Sequence, residues 1–315
     1  MLLPMIHRLF LPACLPLATL WLASCGADSD TPILAGNTGS AAAEGETVYQ
    51  KARLADEAGK AGKAVKLYDQ TATRYPFAPS AAQARYRQAQ ILEQQGKIED
   101  AFDAYDKFLE RFPGNPLYTT ALNRQAAMAQ SAAEGDVKSS FLGLKTRLSL
   151  EKTVEMLNKV RDHAPKSRTA AKAQFTIGEL YQAKRKSKEA IAAFRLLVKD
   201  QPDSPEAPEA LFRVGVIFME EAERGNQNQS NLDLAKEAFN DYLIQYPGHS
   251  RNAEARGMIG TLGASDLQRS YDIAEFYRKT GKPEAAKVYY RDIVKRTGSG
   301  TVHDASKTRL KELGE

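Results

Sequence analysis

The feature that most constrains this chain is a proline that keeps returning after the same kind of segment. The five sites are Arg74-Tyr75-Pro76, Arg111-Phe112-Pro113, His163-Ala164-Pro165, Asp200-Gln201-Pro202 and Gln245-Tyr246-Pro247. Successive prolines lie 37, 52, 37 and 45 residues apart, so one unit of 37 recurs with insertions of 15 and 8. Twelve residues before each proline stands Ala64, Ala101, Thr153, Ala190 or Ala235; eight before stands Tyr68, Tyr105, Leu157, Phe194 or Phe239. Positions four apart share a helix face. The small residue lets a second helix approach and the large one fills the space beside it. Proline then ends the helix, because its ring disfavours helical backbone in the residue before it. Ala285 and Tyr289 repeat the pair once more, with Thr297-Gly298 where the proline would be.

A partner helix precedes each of these. Ala52, Ala89, Ala126, Gly178, Gly215 and Ala274 occupy its tight position, and Gly59, Gly96 and Gly281 follow seven residues later, where a left-handed cap suits glycine. The abundance of Ala, Gln, Lys, Glu and Leu favours helix throughout. The pattern resembles the tetratricopeptide repeat. It predicts an all-α superhelix of about six helical hairpins over residues 46–297, with a capping helix from Thr301 to Leu313. The insertions, 134–149 and 222–232, fall between the two helices of a hairpin and are expected as surface loops.

The first 24 residues read as a leader. Arg8 precedes an apolar run from Leu9 to Leu22, which is short for a spanning helix and contains Pro12 and Pro16. It ends in Leu22-Ala23-Ser24-Cys25, which resembles the lipobox of bacterial lipoproteins. The match at Cys14 leaves almost no apolar segment upstream and is rejected. The expectation is therefore cleavage before Cys25, a covalent lipid on that cysteine, and two or three acyl chains as a stable anchor. By resemblance to a bacterial sorting pattern, Gly26 points to the outer membrane. Residues 25–45 are rich in Gly, Ala, Ser and Thr and are expected as a flexible tether, leaving 46–315 as the repeat domain.

No catalytic or metal-binding constellation is evident. Cys25 would be the sole thiol of the processed chain, which excludes disulfides and thiolate metal sites. His163, His249 and His303 lie far apart in sequence, and no nucleotide or hydrolase motif occurs. His303-Asp304-Ala305-Ser306 and Glu220-Glu221 read as solvated helix surface. No cofactor beyond the lipid is expected, and the chain is read as non-enzymatic. A net charge of +5 does not suggest nucleic acid in an exported protein. The basic residues are uneven: 13 against 4 acidic between Lys138 and Lys188, and 10 against 4 between Arg278 and Leu313. Such stretches suit an acidic partner domain, anionic lipid, or simply solvent.

Function is then expected on a concave surface lined by first helices. Counting from the tight alanines, Tyr49, Arg53, Tyr86, Gln90 and Asn123 should face an N-terminal groove suited to an extended peptide, or else pack between helices. Tyr75 and Phe77 are further candidates, with junction packing as the alternative. The segments Arg74-Tyr75-Pro76-Phe77-Ala78-Pro79-Ser80, Phe108 to Pro116, Asn231 to Pro247 and Tyr271 to Tyr277 closely resemble the BamD (YfiO) family of outer-membrane lipoproteins. That resemblance implies an outer-membrane, periplasm-facing subunit of the β-barrel assembly machine. It would hold unfolded barrel proteins in the N-terminal groove and dock on an Omp85-type barrel and other subunits through its C-terminal repeats. Two departures stand out. The family usually has five hairpins, the extra one here lying around 134–202, and it tends to carry arginine where Tyr289 sits, with Arg291 two residues later. Tyr289 and Arg291 are the candidate docking residues.

Overall fold

The structure, a computed structural model, describes residues 38–141, 144–224 and 229–315. The leader, its cleavage site and Cys25 lie outside the described residues. Thirteen helices among the described residues form six helical hairpins and a cap. The hairpins are α1 (Thr38–Glu57) with α2 (Ala61–Arg74), α3 (Ala81–Gln94) with α4 (Ile98–Arg111), α5 (Tyr118–Glu134) with α6 (Leu150–His163), α7 (Arg168–Ala183) with α8 (Ser187–Asp200), α9 (Ala207–Arg224) with α10 (Gln229–Gln245), and α11 (Asn252–Lys279) with α12 (Pro283–Arg296). The cap is α13 (Thr301–Glu312). Each helix packs on its neighbour in the chain, and first helices of adjacent hairpins also touch, α1 with α3, α5 with α7 and α7 with α9.

The prolines act as the sequence demands. Tyr75, Phe112, Ala164 and Gln201, each one residue before a proline, leave the helix with φ between −118° and −148° and ψ near 60°. At all five junctions the amide three residues on returns to the pre-proline carbonyl: Ala78 to Tyr75, Asn115 to Phe112, Ser167 to Ala164, Ser204 to Gln201 and His249 to Tyr246, at 2.9–3.2 Å. One repeated turn thus aims each hairpin at the next.

The small-plus-aromatic pairs are the core. Tyr68, Tyr105, Phe194, Phe239 and Tyr290 are all buried, as are Ala64, Ala101, Ala190, Ala235 and Ala286. Where the ring is phenylalanine, the facing helix carries glycine. A Cβ on Gly178 would lie 2.4 Å from the Phe194 ring, and one on Gly215 would lie 2.7 Å from Phe239. Where the ring is tyrosine, the facing residue is alanine (Ala52, Ala89, Ala274), each fully buried. Gly59, Gly96 and Gly281 adopt φ of +70° to +76° at the turns, and Arg185 holds the same position in the fourth hairpin with φ +56°.

Several expectations need correction. The last pair is Ala286 and Tyr290, one residue later than the expected Ala285 and Tyr289; counted from Gly298 the spacing of twelve and eight is kept. Helix α1 begins at Thr38, so residues 38–45 of the expected tether are helical. Ala41, Ala42 and Ala43 are strong helix formers. Gly45 lets α1 press onto the first junction, since a Cβ there would lie 2.7 Å from the Cβ atoms of Tyr75 and Ala78. The insertion at 134–149 is not an irregular loop: β1 (Lys138–Phe141) and β2 (Leu144–Arg147) pair antiparallel, Lys138 opposite Arg147. Ser139, Ser140 and Thr146 are weak helix formers, and backbone pairing replaces the helix. The insertion at 222–232 is mostly helix, lengthening α9 to 18 and α10 to 17 residues and leaving 225–228 outside the described residues. Helix α11, at 28 residues, absorbs a further insertion after Pro247; its first half packs with α10 and its second with α12 and α13.

Candidate peptide-binding groove

The first helices carry a polar ladder. In hairpin one, Asp56 on α1 accepts the Tyr68 hydroxyl from α2 at 3.2 Å and a two-pronged contact from Arg87 on α3, at 2.7 and 3.2 Å. In hairpin two, Glu93 on α3 accepts the Tyr105 hydroxyl at 3.0 Å and Arg124 of α5 at 3.1 Å. In the last hairpin, Glu275 accepts the Tyr290 hydroxyl at 2.6 Å and Arg309 of the cap at 2.9 Å, with Arg278 alongside at 2.7 Å. The fourth hairpin has Phe194 in place of tyrosine, and there the carboxylate is replaced by Gln182, which accepts from Arg213 at 3.4 Å. In the first two hairpins each rung ties both helices of one hairpin to the first helix of the next, and in the last it ties both helices to the cap.

Electrostatics follow this geometry. Burial, and after it Asp56, pushes the Tyr68 hydroxyl up to about 12. The Arg278 hydrogen bond, aided by Tyr290 and Arg309, outweighs burial and holds Glu275 at about 2. The rungs are partly exposed, so the Asp56–Arg87 pair contributes only about 1 kcal/mol. A more buried polar cluster joins hairpins two and three. Asp106 of α4 lies 2.7 Å from His163 Nε2 and accepts from Lys159 at 2.7 Å and Gln125 at 2.9 Å. Burial would raise the Asp106 carboxyl, but the contacts from His163, Lys159 and Gln125 prevail and hold it at about 2.

The candidate groove residues divide. Tyr49 and Arg53 lie with Asp56, Glu57, Tyr68, Gln83 and Arg87 around a hollow of about 200 Å³. The Tyr49 ring is 5.8 Å from Tyr68, and exposed Arg53 pairs with Glu57 at 3.0 Å. Gln90 is half-buried and accepts from Arg87 at 3.3 Å, while Asn123 is exposed. Tyr86 is not on this surface: it is buried inside the second hairpin against Tyr105 and Phe108, at 5.7 and 5.6 Å. Tyr75 is not either. It is buried beneath α1, its hydroxyl donating to Glu44 at 3.4 Å, because the helix beginning at Thr38 covers the junction. Phe77 is exposed, with the Arg111 guanidinium 5.7 Å from its ring.

At the C-terminal end, Tyr289 is half-buried and stacks on Tyr277, centroids 5.7 Å apart and planes at 19°. Exposed Arg291 is paired with the Glu315 side chain. The ladder acids and arginines were not singled out from the sequence, although a signal exists: Asp56 and Glu93 each follow a tight alanine by four, and Arg87 and Arg124 are one 37-residue unit apart. Among the described residues no cluster of His, Cys, Asp and Glu could hold a metal ion, and no helix is long and apolar enough to cross a membrane.

Hairpins stacked through repeated junctions, with a ladder along their first helices, define a tetratricopeptide-repeat protein, and a tetratricopeptide-repeat model matches residues 49–116. The model of the YfiO family, described as outer membrane lipoprotein, matches residues 145–298, just under half of the chain, and supports a YfiO-like tetratricopeptide-repeat protein. That match begins in β2 and runs through α12, so it includes residues 145–202 of the segment read above as the extra hairpin. The junction motifs at 74–80 and 108–116 fall instead in the region matched by the general repeat model. No curated protein matches the chain. Similar solved structures include a MamA fragment from Desulfovibrio magneticus RS-1 (15% identity, covering 68% of this chain and 98% of that one, TM-score 0.30). Others are YrrB, a TPR protein with an unusual peptide-binding site (15%, 70% and 98%, 0.32), and the P58(IPK) TPR domain (15%, 85% and 77%, 0.35). These likenesses are too loose to carry anything about ligands.

Proposed function

We propose that this protein is a scaffold subunit of the machinery that assembles β-barrels in the outer membrane. It is anchored on the periplasmic face through a lipid on Cys25, a residue outside the described region. Segments of unfolded barrel proteins lie along the exposed first helices near Tyr49, Arg53, Gln90 and Asn123. The C-terminal hairpins, around Tyr289 and Arg291, dock on periplasmic domains of an Omp85-type barrel, with other subunits of the machine alongside. No catalysis and no cofactor are assigned; binding comes from apolar area and paired charge. The observation that carries this reading is the family match across α6–α12. Extraction in mild detergent and affinity purification should bring the Omp85-type barrel along, and its reproducible absence would overturn the proposal. Changing Cys25 to serine should release the protein from the membrane fraction.

A second reading is a general envelope scaffold, serving peptidoglycan coordination or secretion. It is favoured by the general repeat model matching residues 49–116. Depleting the protein separates the two: the first expects a loss of folded outer-membrane barrels, the second expects them to mature normally.

A further inference from the structure

The third hairpin breaks the packing rule of the others. Its second helix carries Leu157 where Tyr68, Tyr105, Phe194, Phe239 and Tyr290 stand elsewhere. A branched aliphatic chain is shorter than a ring, and the facing tight residue, Ala126, is left half-exposed while Ala52, Ala89 and Ala274 are fully buried. The result is a cavity of about 490 Å³ between α5, α6 and α7. Its walls are Ala126, Ala127, Leu157, Val160 and Ala173, and its polar edge includes Arg168 and Lys172. Both cations are exposed, and neither forms an ion pair among the described residues. The cavity lies against α5 and α7, two first helices in contact with one another, and so on the same side as the ladder.

We infer that this cavity is a docking site for an extended peptide that supplies the missing ring: one aromatic side chain in the pocket, with a carboxylate beside it on Arg168 and Lys172. The volume suits a ring and its neighbouring backbone. An apolar floor rewards burial of aromatic area, and two unpaired cations at the rim select an acidic flank while rejecting a basic one. The inference deepens the reading of the first-helix face as a peptide groove, and adds a site and a ligand chemistry in the middle of the array.

The test uses the full-length protein and a fluorescein-labelled peptide Gly-Ser-Glu-Phe-Glu-Ser-Gly, read by fluorescence anisotropy. Replacing its Phe by Ala, or both Glu by Lys, should weaken binding roughly tenfold or more. In the protein, Leu157→Tyr sets a tyrosine against Ala126, as tyrosine faces alanine in the first, second and last hairpins; it fills the pocket and should weaken binding to the same degree without lowering the melting temperature. Arg168→Glu combined with Lys172→Glu alters only exposed positions and should also lose binding, which covers the case in which Leu157→Tyr fails to fold. Equal binding of the three peptides, or unchanged binding in both variants, overturns the inference. Tighter binding of sodium laurate, displacing the peptide, overturns it in favour of a lipid. Docking on an Omp85-type barrel is assigned to other hairpins. Barrel co-purification by the pocket variants therefore separates failure of this inference from failure of the function proposed above.

Discussion

Consider Gly178→Ala beside Gly260→Ala, one substitution in two helices. Alanine stabilises a helix interior by about 1 kcal/mol relative to glycine. At Gly260 nothing lies within 4 Å of the added Cβ, so the full gain should be realised. At Gly178 the Cβ would lie 2.4, 2.6 and 2.8 Å from three carbons of the Phe194 ring. That ring is fully buried and its centroid is 5.5 Å from that of Phe175, so it has little room to retreat. Overpacking of this kind costs about 1–3 kcal/mol, and the upper part of the range applies. After subtracting the helix gain, the net loss is about 1–2 kcal/mol, or a melting temperature lower by roughly 3–6 °C for a domain of this size. Gly260→Ala should shift it the other way. Thermal melts followed by far-UV circular dichroism measure both. A Gly178→Ala variant that melts at or above the parent refutes the argument. Adding Phe194→Leu to Gly178→Ala recreates the Ala126 and Leu157 combination of the third hairpin. The double mutant should therefore be more stable than the sum of the two single changes by about 1 kcal/mol.

Other outcomes follow from the same geometry. Asp106 has a folded-state pKa of about 2, below an unfolded value near 3.9, so its contribution of about 2 kcal/mol is present above roughly pH 4 and is lost as pH falls through about 2. Denaturant melts should show wild type more stable than Asp106→Asn near neutrality, with the gap closing in acid. Arg185→Gly should stabilise the chain by up to about 1 kcal/mol, because φ +56° strains a residue that bears a side chain; an unchanged or lower denaturation midpoint counts against this. Arg87→Ala removes both contacts to Asp56 at a partly exposed site, and a loss of about 1 kcal/mol is expected in the same assay.

Much of the architecture was legible because the repeat is a local rule. A small residue, a ring four positions on and a proline eight after that fix where a helix packs and where it stops, and the five junction turns obey that spacing. The number of hairpins and the cap followed from counting. Errors arose where a contact from elsewhere in the chain decides the outcome. Nothing in Tyr75 itself announces that α1 extends back to Thr38 and covers it; that depends on Gly45 allowing close approach. Tyr86 looked like a surface aromatic at helical spacing, yet its ring lies between Tyr105 and Phe108. At the last pair, where no proline marks the register, counting slipped by one residue.

By itself, then, the order of amino acids determined the unit, its length and its helical content, since backbone preference and side-chain period act within a dozen residues. Only the tertiary structure decided which polar groups complete the ladder. Asp56 meets Arg87, and Glu93 meets Arg124, across 31 residues and three helices. It also decided that leucine at position 157 leaves a cavity instead of a tighter core, because whether space closes depends on how far neighbouring helices can move, and they are held by the same repeated junctions.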